Sequence, residues 1–216
     1  MKDIVLIGSG GCMRELAWQI YEDGRIEKKW QIIGYVDLAI SPKGKDIKVG
    51  MNSIPFLGDD NFLLMSDKDL NIVVSIGDPE KRKKIAEKYM VNSHLHFPNI
   101  VIGNTYVCDD LTIGKGCIIS MDCRISTNVK LGDFAFLNTG SMVCHDSILG
   151  DFVTLSPDVK IAGEVRVGNS TEVGMGAKII QGVSVGNNVI IGAGSVVINN
   201  VGNGCTIVGV PAKVRG

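Results

Sequence analysis

The sequence is poor in the features on which several functional classes depend. Its three histidines and six cysteines show no spacing typical of a zinc site or a disulfide framework. The formal net charge of −1 gives no strong field that would attract nucleic acid or an anionic membrane surface. The apolar start of the chain is short and is followed by glycine and charged residues, so it is typical neither of a signal peptide nor of a membrane span. We therefore expect a reduced, cytoplasmic protein with no metal, no nucleic acid partner and no membrane insertion.

What the sequence does contain is an unbroken repeat of six residues. An aliphatic residue fills the first place of each hexad, and the fifth place is mostly small or β-branched. The first-place residues are Val101, Val107, Ile113, Ile119, Ile125, Leu131, Leu137, Val143, Leu149, Leu155, Ile161, Val167, Val173, Ile179, Val185, Ile191 and Val197. A period of six is the signature of a hexapeptide parallel β-helix, whereas a β-sandwich would need turn signals about every 8–12 residues. We expect the aliphatic residues to stack inside the coil, where each contributes about 1.5–3 kcal/mol when fully buried.

The first 90 or so residues show a different pattern of strand, glycine-rich turn, helix and strand, which is typical of a βαβ unit. Strands are predicted at residues 2–7, 31–36 and 71–76. One helix follows the first turn, and a second runs from Pro79 to about Tyr89. Residues 38–53 are predicted to form a loop with at most one short strand, and an aspartate at 59–60 is predicted to cap a short helix. The basic run 81–84 is interpreted as a solvated helix face, and residues 91–100, with His94 and His96, as a joint between domains.

The first turn, Gly8-Ser9-Gly10-Gly11, carries only part of a dinucleotide-binding fingerprint, because Met13 stands where the third glycine would fall. Backbone N–H groups at the start of a helix nevertheless attract phosphate. We therefore expect a phosphate-bearing ligand here, with a tight turn that merely needs glycine as the alternative. Asp37 ends the second strand, where it could accept hydrogen bonds from a ribose or base, or cap the strand.

His145 is the only histidine in the hexad region, which is too few for a three-histidine zinc site. Strict strand alternation from Val143 would point its side chain inward. An imidazole fits poorly inside a narrow aliphatic column, so we expect it to face outward near a corner. The ordinary pKa of histidine, about 6.5, suits general-base catalysis, and a neighbouring carboxylate can fix its tautomer. Asp146 could do so only if the turn bends the chain between the two residues, and otherwise it would cap the turn.

Several segments together resemble bacterial sugar acetyltransferases of the PglD/NeuD group, within the hexapeptide acyltransferase superfamily. The most specific segment runs from Leu137 to Asp151 and includes His145-Asp146. The glycine-rich first turn, residues 75–85 and the closing segment 208–213 support it. This resemblance implies a left-handed coil, a homotrimer with active sites between adjacent coils, acetyl-CoA in that groove and a nucleotide-linked sugar held by the amino-terminal domain.

The predicted fold class is therefore mixed, α/β followed by all-β. Residues 1–95 are predicted to form a small Rossmann-like βαβ domain that binds the sugar nucleotide. Residues 96–216 are predicted to form a left-handed parallel β-helix with a short carboxyl-terminal tail, which binds acetyl-CoA and carries the catalytic residues. The coil itself is expected to end near residues 202–204.

The resemblance also implies roles for individual residues. His145 would act as the general base, Asp146 would steady the imidazolium, and Asn138 would position the acceptor. The residues implied for acetyl-CoA are Gly163, whose N–H would meet the oxyanion, Gly174, Met175, Gly192, Ala193 and Lys213, with Arg215 as the alternative phosphate partner. The residues implied for the sugar nucleotide are Gly8, Ser9, Gly10, Gly11, Asp37 and Gly77.

Three positions depart from the pattern common in that group. Cys12 stands where members often have histidine, Asp37 is followed by Leu38 where many have paired acids, and Asp146 stands where members often have glutamate. The first two positions lie in the predicted sugar-nucleotide site.

The predicted function is transfer of an acetyl group from acetyl-CoA to the amine of a nucleotide-linked amino sugar in bacterial surface glycan biosynthesis. The enzymatic alternative is O-acetylation of a sialic acid or a similar sugar. The non-enzymatic alternative is a catalytically silent trimeric β-helix that serves as an interaction scaffold.

Overall fold

The computed structural model describes residues 1–23, 29–37 and 45–215. Leu38 and the first part of the predicted 38–53 loop, residues 38–44, lie outside the described residues. The chain divides into two compact units, one formed by Met1–Gly77 with Lys81–Pro98 and the other by Asp78–Glu80 with Asn99–Gly216.

The first unit contains a parallel sheet with helices between its strands. Its strands are β1 (Lys2–Ile7), β2 (Trp30–Val36), β3 (Ile47–Val49), β4 (Asn52–Ile54), β5 (Phe56–Gly58), β6 (Leu70–Val74) and β7 (Leu95–His96). Its helices are α1 (Gly11–Asp23), α2 (Asp60–Leu64) and, apart from its first two residues, α3 (Pro79–Tyr89). The parallel sheet has the order β5-β2-β1-β6-β7, and β3 and β4 form a separate antiparallel pair. This is the predicted Rossmann-like arrangement.

The central strand and the first helix follow directly from the apolar pattern. Residues 4–7 of β1 are fully buried, as expected for a strand in the middle of a parallel sheet that is covered on both faces. Helix α1 buries Met13, Leu16, Ala17 and Ile20, which confirms the predicted apolar face. Helix α2 begins at the predicted cap, where the Asp59 side chain accepts a hydrogen bond from the Asn61 N–H at 2.9 Å.

Two edge strands, an antiparallel strand pair and one buried cation depart from the prediction. Strands β3 and β4 pair with each other where at most one short strand was predicted. Strand β5 lies in a segment predicted as a turn, and β7 lies in the predicted joint. Arg82 belongs to the basic run that was interpreted as solvated, but it is only 1% exposed. Its guanidinium donates to the carbonyls of Ile76 and Gly77, both at 2.8 Å. The interpretation was wrong for Arg82 because helical periodicity places residue 82 on the same face as the buried Ala86 and Tyr89.

The second unit is a parallel β-helix with three faces. Face 1 consists of β8 (Ile100–Val101), β11 (Ile118–Ile119), β14 (Phe136–Leu137), β17 (Thr154–Leu155), β20 (Glu172–Val173), β23 (Ile190–Ile191), β25 (Thr206–Gly209) and β26 (Ala212–Val214). Face 2 consists of β9 (Tyr106–Val107), β12 (Arg124–Ile125), β15 (Met142–Val143), β18 (Lys160–Ile161), β21 (Lys178–Ile179) and β24 (Val196–Val197). Face 3 consists of β10 (Thr112–Ile113), β13 (Lys130–Leu131), β16 (Ile148–Leu149), β19 (Arg166–Val167) and β22 (Ser184–Val185).

Each coil of the β-helix uses three hexads. Ile119 pairs with Leu137, and Leu137 pairs with Leu155, so a residue lies beside the residue 18 positions later (137 − 119 = 18). The described architecture is the left-handed β-helix that was predicted. We name its edges after the faces that they join, so that corner 1/2 lies between faces 1 and 2, corner 2/3 between faces 2 and 3, and corner 3/1 between faces 3 and 1.

The interior of the coil is the predicted aliphatic column. From Ile119 to Val197 every first-place residue is buried, and together with the fifth-place residues they form one continuous core. Val107 is 36% exposed because it lies in the first coil, which has no coil stacked on one side. The coil also continues beyond residues 202–204, where its end was expected. Strand β25 pairs in parallel with β23, and β26 folds back antiparallel on β25 after a cis Val210–Pro211 bond.

Corner 3/1 carries a ladder of aspartate and asparagine side chains that the sequence analysis did not predict. Each side chain accepts a hydrogen bond from a backbone N–H one coil earlier. The N–H/acceptor pairs are Lys115/Asp133, Asp133/Asp151, Asp151/Asn169, Asn169/Asn187 and Asn187/Asn203, with distances of 2.8–3.0 Å. A Cβ at Gly150 would lie 2.2 Å from the Asn169 side-chain oxygen, so this ladder explains why glycine recurs before the Asx residue.

Candidate active site

His145 lies at corner 2/3, outside the coil. The strand ends at the buried Val143, and Asp146 adopts φ of 60°, a left-handed conformation that aspartate tolerates better than most residues. This turn ends the strand alternation and leaves the His145 side chain 46% exposed. The expectation of an outward histidine agrees with this placement, and strict alternation fails because the turn begins at the histidine.

The turn also brings Asp146 against the imidazole. One Asp146 oxygen lies 2.8 Å from His145 Nδ1, and the other accepts a hydrogen bond from Asn128 Nδ2 at 2.7 Å. The hydrogen bond from Asn128, followed by that from His145, lowers the pKa of Asp146 below its ordinary value. An ionised carboxylate only accepts hydrogen bonds, so the proton of a neutral imidazole belongs on Nδ1. Nε2 then carries the free lone pair with which a general base accepts a proton.

Gly163 lies directly against the imidazole, one coil after His145. A Cβ built on Gly163 would lie 2.5 Å from His145 Cε1 and 2.6 Å from Nε2. The coils join here through the Glu164 N–H, which donates to the His145 carbonyl at 2.9 Å. Only glycine leaves the ring in this position.

The Gly163 N–H differs from its counterparts at corner 3/1. Those third-place N–H groups bond to the Asx ladder, whereas the residue one coil after Gly163 is Gln181, whose side-chain amide donates to Glu164 instead. Within residues 45–215, no acceptor is bonded to the Gly163 N–H. An open donor next to a base is the combination that acyl transfer requires, because negative charge develops on the carbonyl oxygen as the base removes a proton.

The other residues predicted for acetyl-CoA lie on a different edge. Gly174, Met175, Gly192 and Ala193 lie in the turns of corner 1/2, as does Asn138. A Cβ at Gly174 would lie 2.6 Å from the Ala193 nitrogen, and one at Gly192 would lie 2.7 Å from a methyl group of Val208. Coil stacking therefore already requires both glycines, whatever else they do.

Corners 1/2 and 2/3 lie on opposite edges of face 2, so a single chain does not bring Asn138 to His145. The Asn138 oxygen accepts from the Thr139 N–H at 2.7 Å, and Met175 is 58% exposed. Lys213 lies on β26, exposed, beside a cavity of about 280 Å³ at the end of the coil.

The residues predicted to bind the sugar nucleotide converge at the carboxyl ends of β1, β2 and β6. Ser9 donates a hydrogen bond to Asp37, which links the glycine-rich turn to the end of the second strand. Gly77 follows the carboxyl end of β6, and its carbonyl accepts a hydrogen bond from the buried Arg82. A Cβ at Gly10 or Gly11 would meet nothing within 4 Å, so there is open space at the start of α1.

Cys12 lies in the first turn of α1. Burial raises the pKa of its thiol to about 11, against a smaller lowering by Arg82. A thiol that stays protonated at neutral pH cannot replace the histidine that members of the resembled group often have there as a proton carrier.

Asn128 is the site residue that the sequence analysis missed. The sequence could have indicated Asn128, because position 128 lies 18 residues, the length of one coil, before Asp146. Among the described residues, no group of three His, Cys, Asp or Glu side chains is arranged to hold a metal ion. None of the described helices is long and apolar enough to cross a bilayer.

Two family models match the sequence. The PglD N-terminal domain matches residues 3–89, and the bacterial transferase hexapeptide model, which comprises six repeats, matches residues 164–199. Comparison of the sequence with curated proteins gives no match.

Several solved structures match the whole chain. PerB from Caulobacter crescentus, in complex with CoA and GDP-perosamine, is 31% identical, and the match covers 100% of this chain and 98% of that one with a TM-score of 0.85. A histidine-to-alanine variant of GDP-perosamine N-acetyltransferase from the same organism, also with CoA and GDP-perosamine, gives 30% identity, the same coverage and a TM-score of 0.87. The acetyltransferase domain of PglB from Neisseria gonorrhoeae with acetyl coenzyme A is 26% identical, with 99% of both chains covered and a TM-score of 0.86.

Proposed function

Because the chain belongs to the PglD-type group of hexapeptide-repeat sugar acetyltransferases, we propose that it transfers an acetyl group from acetyl-CoA to the amine of a nucleotide-linked amino sugar in bacterial surface glycan biosynthesis. The observation that carries this proposal is the pairing of His145 Nδ1 with the Asp146 carboxylate at 2.8 Å, which leaves Nε2 free on an exposed edge of the coil. Relatives that bind CoA together with GDP-perosamine support the two substrate classes.

The proposed reaction is a direct acyl transfer. His145 Nε2 accepts a proton from the acceptor amine as the amine nitrogen attacks the thioester carbonyl. The carbon–sulfur bond then breaks, and the imidazolium returns the proton to the departing CoA sulfur. Asp146 stabilises the imidazolium, and the Gly163 N–H binds the oxyanion, a contact that is typically worth about 2.7–4 kcal/mol.

A complete site of this kind requires a second copy of the chain. Asn138 and the acetyl-CoA residues Gly174, Met175, Gly192 and Ala193 lie on corner 1/2, whereas His145 lies on corner 2/3. We propose that the protein is a homotrimer in which corner 1/2 of one copy faces corner 2/3 of the next. In this arrangement pantetheine lies along the groove, Asn138 positions the acceptor, and Lys213 contacts the coenzyme phosphates.

The nucleotide sugar is proposed to bind the amino-terminal domain, residues 1–95, while residues 96–216 bind acetyl-CoA. Open space at Gly10 and Gly11 gives a diphosphate access to the backbone N–H groups at the start of α1. Asp37 and Ser9, already hydrogen-bonded to each other, can bind the ribose or base, with Gly8 and Gly77 forming the adjacent backbone. We propose a cytoplasmic location, where the six free cysteines stay reduced.

The test is a thiol-release assay with acetyl-CoA and a panel of UDP-, GDP- and dTDP-linked amino sugars together with free sialic acids. His145→Ala should lower the rate by about 10²–10⁴-fold, the usual contribution of a general base, and should keep acetyl-CoA binding. His94→Ala and His96→Ala are matched controls, since both histidines are exposed beside Asp69 in the amino-terminal unit. Turnover with free sialic acids alone would favour O-acetylation. No turnover with any acceptor would favour the scaffold.

A further inference from the structure

The carboxylate of Asp146 is held from two sides, and only one of these contacts is with the histidine. Asp146 Oδ2 faces His145 Nδ1 at 2.8 Å, and Oδ1 accepts from Asn128 Nδ2 at 2.7 Å. Both distances are those of good hydrogen bonds to a charged group. With one oxygen tied to Asn128, the carboxylate cannot rotate freely about its Cβ–Cγ bond, so the other oxygen stays aimed at the ring.

Asn128 is itself fixed by the preceding coil. Its backbone N–H donates to the Asp110 carboxylate at 2.9 Å, and that carboxylate also accepts from the Thr127 hydroxyl. Asn128 and Asp146 have left-handed φ of 54° and 60°, so they occupy equivalent turn positions stacked one coil apart. The result is a column along corner 2/3 in which Asp110 holds Asn128, and Asn128 holds Asp146.

The amide of Asn128 also separates two negative charges. Asp110 and Asp146 lie one coil to either side of it, and residue 128 uses a different donor for each, its backbone N–H for one and its side-chain amide for the other. A carboxylate or an apolar side chain at position 128 would leave one Asp146 oxygen to solvent and remove this bridge.

We propose that Asn128 is a positioning residue for the acetyl transfer, which acts by holding Asp146 so that His145 keeps its proton on Nδ1 and presents Nε2 to the acceptor. This inference rests on the proposed function for its kinetic consequence. Its structural consequence, the tautomer of His145, can be measured without any substrate.

The test compares variants at Asn128 with a matched asparagine. Asn188 occupies the equivalent turn position at corner 3/1, with φ of 54°, away from His145. Glycine tolerates left-handed φ, so Asn128→Gly and Asn188→Gly remove a side chain at the same backbone conformation. Asn128→Asp keeps the size of the side chain, removes the donor and places a negative charge beside Asp146.

The spectroscopic readout is the ¹⁵N–¹H correlation of the imidazole rings. The chain has three histidines, and His145→Ala identifies the signal of His145. The wild type and Asn188→Gly should show the Nδ1–H form. Asn128→Gly and Asn128→Asp should show an increased fraction of the Nε2–H form, which predominates in free histidine.

The kinetic readout is kcat with acetyl-CoA and the accepted sugar. Asn128→Gly should lower kcat by about 10-fold, a fraction of the roughly 10⁴-fold loss seen when a catalytic histidine is left in the wrong tautomer. The KM for both substrates should stay within about twofold, and Asn128→Asp should lower kcat at least as far. An unchanged tautomer together with kcat within about twofold of Asn188→Gly, in both Asn128 variants, would overturn the inference. If the wild type shows no turnover, the proposed function fails, while the tautomer comparison still decides the role of Asn128.

Discussion

Replacing Gly163 with alanine is expected to displace the His145 ring while the coil stays folded. A Cβ at position 163 would lie 2.5 Å from Cε1 and 2.6 Å from Nε2 of the ring, whereas non-bonded carbon atoms ordinarily lie about 3.5–4.0 Å apart. The ring must therefore move by about 1 Å. Because 46% of the His145 side chain is exposed, the ring can move toward solvent without unfolding its surroundings. A shift of about 1 Å at a catalytic group typically costs about 100-fold in rate, equivalent to about 2.7 kcal/mol.

The alanine changes nothing else that the mechanism uses. Gly163 is not among the described residues with positive φ, so alanine fits the backbone, and the variant keeps the N–H that is proposed to bind the oxyanion. The measurements are kcat in the thiol-release assay and the thermal unfolding midpoint. The matched control is Gly202→Ala near the end of the coil, because a Cβ there would meet nothing within 4 Å.

A kcat for Gly163→Ala within about threefold of the Gly202→Ala value, with similar unfolding midpoints, would refute this reasoning. It would mean that contact with Gly163 does not set the position of the base during turnover. A large fall in the unfolding midpoint of Gly163→Ala alone would contradict the claim that the exposed ring absorbs the strain.

Four further outcomes follow from the structure. Asp146→Asn should lower kcat by about 10²–10⁴-fold, because an amide does not enforce the Nδ1–H tautomer. Since the pKa of Asp146 is lowered by Asn128 and then by the histidine, the wild-type carboxylate should stay ionised between pH 7 and 5, and the pH profile of kcat should show no titration of this carboxylate in that range. Burial raises the pKa of the fully buried Cys123 thiol to about 11. This thiol should resist modification at pH 8 until urea unfolds the chain. The urea midpoint should fall above pH 9, where the thiol ionises in the unfolded chain but not in the folded one. Asn169→Ala removes one acceptor of the Asx ladder, so it should cost about 0.5–1.5 kcal/mol and lower the unfolding midpoint by about 2–4 °C per kcal/mol without changing kcat.

The corner 3/1 ladder and the burial of Arg82 are features that the sequence analysis did not predict. At corner 3/1 the glycine after the first-place residue is required by a side chain of the next coil, as at Gly150, where a Cβ would meet Asn169. Arg82 was grouped with its charged neighbours, although its place on the helix puts it with Ala86 and Tyr89. Strands β5 and β7 are three and two residues long, too short for a pattern to distinguish them from turns.

The sequence alone determined the aliphatic column inside the coil. Each hexad of a β-helix places its first residue in the interior, so the column is visible directly as aliphatic residues with a period of six. It also determined the βαβ order and the candidacy of His145, which is the single histidine of the hexad region. Only the tertiary structure decided which way that histidine faces and what holds it. Those contacts join residues one coil apart, His145 with Gly163 and Asp146 with Asn128, and they depend on a backbone reversal at Asp146. The spacing of 18 residues can be counted in the sequence, but which side chains meet across it, and the left-handed turn at Asp146, become visible only when the coils are stacked.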